Sequence, residues 1–507
     1  MHFFESLLTL GFIAVALLYV SSRVGAPYPS VLAISGVAVA FLPWAPEFGF
    51  DPQLALALFV APALLDAAYD FHPKTLQRHW KDMLALAVFA VVLTTVAVGA
   101  IAHWYGGLPI AAAIALGALV APPDAAAAAA MLGRLPVPRR AVAILQGESL
   151  LNDATALLIF TAAVGTQMGG SFSVSLILAA PAAILLGMVV AAIYTSLTRD
   201  LRDSLGGVLA SFTVTFGLWV LAERLHVSAV LAVVAFAMTV ASVLYRQQTA
   251  RSRIHSYAVW TTAVFFLNVV AFLLMGFLAR SIFAQLSPEE VWPSVRFAMS
   301  VLVVVVLVRM AWVLTYTWLR HHGRLAVGER LAQTKLAVVV GWCGMRGLVT
   351  MAAALSVPLQ FPYREQIQLG ALAVVLGTLV LQGLTLSPLV KLMRVAKDKS
   401  FEAEFGDARA SVLEAAITRL ELIDNEDAAK MAQHYRTELA SAAIGKDEQG
   451  AARRELKLAA IGAMRQKLHE LRGKAAIEDD IYHALEEELD WDELAASPRG
   501  RLAISDG

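Results

Sequence analysis

Residues 144–160 read ILQGESLLNDATALLIF, a stretch that places two acidic side chains inside an otherwise apolar segment. In an α-helix, Ser149 and Asp153 are four residues apart and therefore share one face. Glu148 and Asn152 have the same spacing and share a neighbouring face. Because small hard cations such as Na⁺ prefer oxygen ligands, Ser149 and Asp153 are candidate Na⁺ ligands. The alternative is a buried polar network that only fixes helix packing.

The rest of the chain has the composition of a polytopic membrane protein. Of the 507 residues, 58% are hydrophobic and 16% are charged, whereas a soluble domain carries about 25% charged residues. This composition excludes a soluble enzyme, a secreted disulfide scaffold and a nucleic-acid-binding domain. Cys343 is the only cysteine, so disulfides within the chain and multi-cysteine metal sites are excluded as well.

Charge divides the chain near residue 395. Residues 1–395 carry a net charge of +8, and residues 396–507 carry a net charge of −8. We therefore predict a transmembrane domain at 1–395 and a charged helical tail at 396–507. Helical runs in the tail are predicted near 408–424, 451–473 and 478–494. Opposite charges on the two parts would favour electrostatic docking of the tail if both face the cytoplasm.

Apolar stretches in the first 395 residues predict about thirteen transmembrane helices, since each crossing needs roughly 20 mostly apolar residues. They lie near 5–22, 27–44, 53–69, 83–104, 109–133, 140–165, 173–196, 204–222, 227–245, 256–281, 296–319, 335–357 and 366–393. The connections between these helices fall into two alternating sets, and one set holds sixteen Lys and Arg residues in total while the other holds four. Because cytoplasmic loops are enriched in these residues, the N-terminus is predicted outside and the tail inside. The fold class is all-α and polytopic.

Two of the predicted helices are interrupted. Residues 115–132 read ALGALVAPPDAAAAAAML, where Pro122 and Pro123 remove backbone donors and break the helix. Asp124 then lies near the start of the second half-helix, where the dipole favours a carboxylate. The alternative is a simple kink that Asp124 caps. Residues 338–355 read VVVGWCGMRGLVTMAAAL, with three glycines around Arg346 that weaken this helix.

Interrupted helices in corresponding positions of two halves indicate an inverted-repeat transporter. Arg346 keeps its charge and needs a buried anion, and we expect Glu148 to be its partner. Arg309 is a second buried cation for which the sequence identifies no partner. Asp66, in PALLDAAYDF at residues 62–71, is a candidate secondary ligand or a charge on the access path.

Together these segments resemble the sodium/proton antiporters of the monovalent cation/proton antiporter superfamily, specifically the NhaP-type branch related to animal sodium/hydrogen exchangers. The motifs are PALLDAA, APPDAAAA, GESLLND, GWCGMRGLVTMAAAL and VVLGTLVLQGLTLSPLV. The resemblance implies a thirteen-span fold with inverted repeats and two broken crossing helices, divided into a six-helix core and a dimerisation part. It also implies a homodimer in the cell membrane, and no cofactor beyond the transported ions.

The resemblance also assigns roles to individual residues. Asp153 matches the aspartate that binds the ion and the proton, and Ser149 matches a cation ligand. Asn152 matches the asparagine of the branch with a single carboxylate there, which implies electroneutral exchange of one cation for one proton. Glu148 and Arg346 match a structural ion pair. Asp124 matches the aspartate of the broken fifth helix.

Two departures from the family pattern concern ion selectivity. The usual Thr-Asp-Pro is Pro123-Asp124-Ala125 in this chain, which removes a hydroxyl but leaves the Pro123 carbonyl as a ligand. Asp66 stands where many members have the longer glutamate. The expected function is exchange of cytoplasmic Na⁺ for external H⁺, and the alternative is K⁺/H⁺ or mixed-cation exchange. A channel or an intramembrane protease is disfavoured, because neither explains the pairing expected for Arg346.

Overall fold

The structure is a computed structural model of the chain. It describes residues 2–42, 52–69, 71, 73–124, 128, 132, 137–169, 175–201, 204–244, 248–284, 287–321, 327–395, 400–443, 448–474 and 479–496. Every regular element in these ranges is helical, so the predicted all-α class is confirmed. Two compact units form, Met1–Lys397 and Asp398–Asp506.

The first unit contains fourteen described helices. In chain order these are α1 His2–Val24, α2 Tyr28–Ala40, α3 at 52–69 with a π-helical segment Leu56–Val60, α4 at 73–104 with a π-helical segment Ala85–Ala90, α5 Ile110–Val120, α6 Arg139–Gln167, α7 Ser175–Leu197, α8 Leu205–Arg224, α9 Ala229–Leu244, α10 Ala250–Ala284, α11 Pro288–His321, α12 Val327–Trp342, α13 Leu348–Leu355 and α14 Arg364–Met393.

Seven helical segments in the described ranges are long and apolar enough to cross a membrane, and shorter apolar helices accompany them. The polytopic architecture is therefore confirmed, while the number of thirteen crossings stays a prediction. Most of the second half of the fifth predicted span, at 125–127, 129–131 and 133, lies outside the described residues. Proline sets where several helices begin, since Pro27, Pro109 and Pro138 directly precede α2, α5 and α6.

Small residues allow some helices to pack with their backbones in contact. A Cβ atom on Gly36 of α2 would overlap the carbonyl oxygen of Leu273 in α10, and a Cβ on Gly276 would overlap the backbone of Gly36. Between α7 and α9, a Cβ on Gly187 would overlap the backbone of Ala232. Such approaches are typical of membrane helices, where van der Waals packing replaces the hydrophobic effect as the driving force. α2 and α10 therefore form a closely packed pair.

The second unit contains four described helices: α15 Ser400–Glu421, α16 Glu426–Ala443, α17 Glu448–Gly473 and α18 Asp479–Ala496. Three of them correspond to the predicted helical runs, and α16 was not predicted. Ion pairs join α17 to the acidic α18, with Arg465 Nη2 at 2.8 Å from Asp490 and 2.6 Å from Glu493. Exposed pairs of this kind contribute about 0–1 kcal/mol each. Part of the acidic face of α18 is thus neutralised within the tail.

Candidate ion-binding site at the crossing of two broken helices

The two interrupted spans meet at their breaks. Helix α5 ends at Val120 and the chain is non-helical to Asp124, while α12 ends at Trp342 and α13 begins at Leu348. The backbone N–H of Asp124 donates a hydrogen bond to the carbonyl of Met345 at 2.7 Å. Ala128 N–H donates to Asp124 O at 3.2 Å, which places Asp124 at the start of the next helical turn. The prediction of two broken, crossing helices is confirmed.

Arg346 binds backbone carbonyls at this crossing. Its Nε donates to Val120 O at 3.0 Å, and its Nη2 donates to Ala121 O at 3.1 Å. Nη1 donates to Gly344 O, and the backbone N–H of Arg346 donates to Thr378 Oγ1 at 2.9 Å. The last carbonyls of a helix have no partner within the helix and carry partial negative charge. The carbonyl oxygens at the end of α5 therefore supply the hydrogen-bond acceptors that a fully buried guanidinium needs.

The predicted ion pair of Glu148 with Arg346 is wrong. Glu148 instead accepts two hydrogen bonds from Arg309 of α11, with Nη1–Oε1 at 2.6 Å and Nη2–Oε2 at 3.0 Å. Both side chains are buried, at 0% and 2% exposure. A parallel two-bond contact of this kind is the strongest geometry for arginine and carboxylate. The sequence placed Arg309 and Arg346 in apolar segments, but did not show which of the two would face Glu148.

Asn152 and Asp153 of α6 lie beside the break that follows α5. Asn152 is fully buried, and its Nδ2 donates to Pro123 O at 3.1 Å. Asn152 Oδ1 has no hydrogen-bond partner among the described residues. Asp153 is buried at 5% exposure and interacts electrostatically with Asp124. Ser149 is half-buried one turn before Asp153 on the same face.

The structure thus brings Asp153, Asn152, Pro123 and Asp124 together, with Ser149 adjacent on α6. This set offers two carboxylates, an amide oxygen, a backbone carbonyl and a hydroxyl. All of these are oxygen ligands, which a hard monovalent cation prefers. Because a carbonyl oxygen has two lone pairs, Pro123 O keeps one for a second partner beside Asn152.

Asp66 is on α3, outside α6 and the two interrupted spans. Its side chain lines a cavity between α3 and helices α7 to α10, together with Tyr194, Arg253 and Trp260. The described residues that line this cavity include none from α5 or α6. The role of Asp66 as a secondary ligand or a charge on the access path stays a prediction.

Asp82 was missed by sequence reasoning. It is buried in α4 and accepts a hydrogen bond from Tyr316 Oη at 2.7 Å, and it forms ion pairs with Arg320 and, at 3.4 Å, with Arg140. Asp82 thus joins α4 and α6 to α11 at one end of the helices. The signal available in the sequence was an acid next to the predicted start of an apolar span, among loop arginines.

The glycine spacing in the twelfth span has a steric reason as well as a conformational one. A Cβ atom on Gly344 would overlap the Arg309 side chain, and a Cβ on Gly347 would overlap the carboxylate of Asp124. These two positions admit the neighbouring charged groups because they lack a side chain. The glycines therefore permit the close approach of α11 and of the fifth span.

We expect Gly347→Ala to reduce the rate of cation exchange at least about tenfold, because the added methyl group displaces the Asp124 carboxylate. A tenfold loss corresponds to roughly 1.4 kcal/mol of lost interaction. The measurement is the initial rate of cation-driven proton movement in vesicles. Gly165→Ala on α6 is the matched control, because its Cβ would meet nothing within 4 Å. Exchange at the normal rate by Gly347→Ala would contradict the close contact with Asp124.

Comparison with known proteins agrees with this geometry. Residues 10–392 match the family model described as "Sodium/hydrogen exchanger, transmembrane". The exchanger YjcE of Escherichia coli, named an uncharacterized Na⁺/H⁺ exchanger, is 28% identical over 92% of this chain and 94% of its own length. A "Sodium, potassium, lithium and rubidium/H⁺ antiporter" of Bacillus pumilus is 27% identical over 94% of this chain and 76% of its own length.

A solved structure shows the same fold. The sodium proton antiporter MjNhaP1 from Methanocaldococcus jannaschii superposes with a TM-score of 0.61 at 17% sequence identity. The match covers 78% of this chain and 99% of that protein. The two chains therefore share their overall helical fold.

Proposed function

This chain belongs to the sodium/hydrogen exchanger family, and we propose that it exchanges cytoplasmic Na⁺ for external H⁺ at a single site centred on Asp153. It is a membrane transporter and not an enzyme. The observation that carries the proposal is the buried Asp153 carboxylate beside Asp124, at the point where two helices break. Broken helices at membrane depth line ion sites in many transporters.

Competition for one carboxylate accounts for exchange. A proton and a Na⁺ ion would occupy the same oxygens of Asp153, so each would displace the other. Ser149, Asn152 Oδ1 and the Pro123 carbonyl would complete the oxygen shell of the cation. Because one carboxylate takes up one proton or one monovalent cation, the proposed exchange is one for one and electroneutral.

Alternating access requires the helices around the site to move together. Polar contacts tie them to one another: Asp82 joins α4 and α6 to α11, and Glu148 with Arg309 joins α6 to α11 near the site. Arg346 joins the break of the twelfth span to α5 and, through Thr378, to α14. These contacts support a core of α4–α6 and α11–α14 that moves as one body against the other helices.

A second candidate is K⁺/H⁺ or mixed-cation exchange on the same fold. Two observations favour considering it. The segment Pro123-Asp124-Ala125 lacks the hydroxyl of the usual Thr-Asp-Pro, which removes one oxygen ligand beside Asp124. The similar Bacillus pumilus protein is named for four alkali cations.

The test is proton movement in everted vesicles that contain the protein. After respiration acidifies the lumen, addition of Na⁺ should release protons, and half-saturating Na⁺ should rise in proportion to the proton concentration. K⁺ and Li⁺ added in parallel measure selectivity. A response to K⁺ equal to that of Na⁺ would favour the second candidate. No response to any of the three cations would refute antiport by this chain.

We also propose a homodimer in the cell membrane, with residues 1–395 as the transport domain and 396–507 as a cytoplasmic tail. The support for this orientation is the sixteen-to-four distribution of Lys and Arg over alternate connections. Protease added to sealed right-side-out vesicles should leave the tail intact, whereas everted vesicles should lose it. The reverse pattern would overturn the orientation.

A further inference from the structure

Gln382 is a fully buried amide on α14, with Thr378 and Thr385 on one side of it and an apolar stripe on the other. It lies seven residues after Val375 and four before Leu386, so the three share one stripe of the helix. Val375, Leu379 and Leu386 on this stripe pack into the apolar cluster formed with α2 and α10. Neither Oε1 nor Nε2 of Gln382 has a hydrogen-bond partner among the described residues. An amide therefore occupies a position where an apolar side chain would pack.

A second amide lies on the facing helix pair. Asn268 of α10 is buried, and its Oδ1 has no hydrogen-bond partner among the described residues. Phe265 and Phe272 flank it at helical spacing, and their rings lie 5.4 and 6.3 Å from the ring of Tyr28 in α2. Asn268 is therefore on the stripe of α10 that runs along α2.

A hydrogen bond already connects α2 with α14 near these amides. Ser30 Oγ donates to the carbonyl of Leu379 at 2.6 Å, and Leu379 is three residues from Gln382. The unpaired atoms are also complementary, since Gln382 Nε2 is a donor and Asn268 Oδ1 an acceptor. A buried polar atom without a partner costs free energy comparable to a lost hydrogen bond. Three such atoms on these facing helices therefore make the arrangement seen in the structure less stable.

We propose that Gln382 is a positioning residue of the transport cycle, whose amide pairs with Asn268 across the contact of α14 with α2 and α10 when the core moves. This inference rests on the proposed function, because α14 belongs to the moving core while α2 and α10 form the closely packed pair outside it. The unpaired amides destabilise the arrangement seen in the structure, and their pairing would stabilise the other arrangement. The two arrangements therefore differ less in free energy. Gln382 thus sets the rate of the conformational step and does not touch the cation.

The experiment replaces the amide by an apolar side chain of similar length, Gln382→Met. The maximal exchange rate should fall about tenfold, which corresponds to about 1.4 kcal/mol in the barrier. Half-saturating Na⁺ should stay unchanged, and thermal stability should be equal to or higher than that of the original protein. A merely structural role would lower stability without this separation of rate from cation affinity. Leu379→Met on the same stripe is the matched control and should leave the rate unchanged.

Asn268→Leu tests the partner independently and should also slow exchange. If the two amides pair, the double variant Gln382→Met with Asn268→Leu should be no slower than the slower single variant. Normal exchange by Gln382→Met, or losses that multiply in the double variant, would overturn the proposal. Both outcomes are read against vesicles in which the original protein exchanges Na⁺ for H⁺. Inactivity of that protein would instead refute the proposed function.

Discussion

Asp153→Asn should reduce cation-driven proton movement to the level of vesicles without the protein, while the protein remains folded. The amide has nearly the shape of the carboxylate but can neither release a proton nor carry the charge that attracts Na⁺. Because Asp153 is buried, replacing its charge by a neutral amide does not add a desolvation cost. The measurement is dequenching of a pH-gradient dye in everted vesicles on addition of Na⁺.

Two controls separate loss of transport from loss of folding. The Asp153→Asn protein should elute as a single species in detergent and unfold at the same temperature as the original. Thr155→Ala lies two residues away on α6, where the Thr155 hydroxyl donates to the Leu151 carbonyl of its own helix at 3.1 Å. This variant should exchange normally. Proton-driven Na⁺ movement by Asp153→Asn at the normal rate would remove Asp153 from the site.

The second large effect concerns the buried ion pair. Arg309→Met should destabilise the protein by about 3–5 kcal/mol, because it leaves the Glu148 carboxylate charged and buried without its cation. Glu148→Gln should also destabilise, since Arg309 then loses its anion. The combined variant should recover much of the loss, as neither charge remains. Denaturant unfolding in detergent gives the three free energies of unfolding and from them the coupling energy.

The same cycle with Arg346→Met is the matched control. Arg346 binds the carbonyls of Val120 and Ala121, so its removal should destabilise the crossing whether or not Glu148 is present. Its coupling energy with Glu148 should therefore be smaller than that of Arg309, since groups without a direct contact are closer to additive. A larger coupling of Glu148 with Arg346 than with Arg309 would reverse the pairing seen in the structure.

Several features of the site followed from local sequence rules. The double proline at 122–123 and the glycines around Arg346 predicted the two helix breaks, because prolines and glycines act on the backbone where they stand. The four-residue spacing placed Ser149 and Asp153 on one face of α6. These rules need no knowledge of neighbouring helices, and the structure agrees with each of them.

Features that join distant segments were predicted less well. Glu148 was expected to pair with Arg346 and no partner was identified for Arg309, because sequence spacing does not report which arginine packs against α6. The carbonyls at the end of α5 were not considered as partners for Arg346, although the predicted break released them. Asp82 escaped notice because its burial depends on Arg140 and Arg320 from two other helices.

The sequence by itself thus determined that this protein is an all-helical membrane transporter, where its helices break and which carboxylates interrupt its apolar segments. Hydropathy, proline and glycine placement and helical periodicity are local properties, and they suffice for these conclusions. Only the tertiary structure decided that Glu148 pairs with Arg309, that Arg346 binds helix carbonyls and that Asp66 lines a cavity between α3 and helices α7 to α10. The physical reason is that a buried charge takes whichever partner the packing brings within hydrogen-bond distance, and packing is a property of the whole chain.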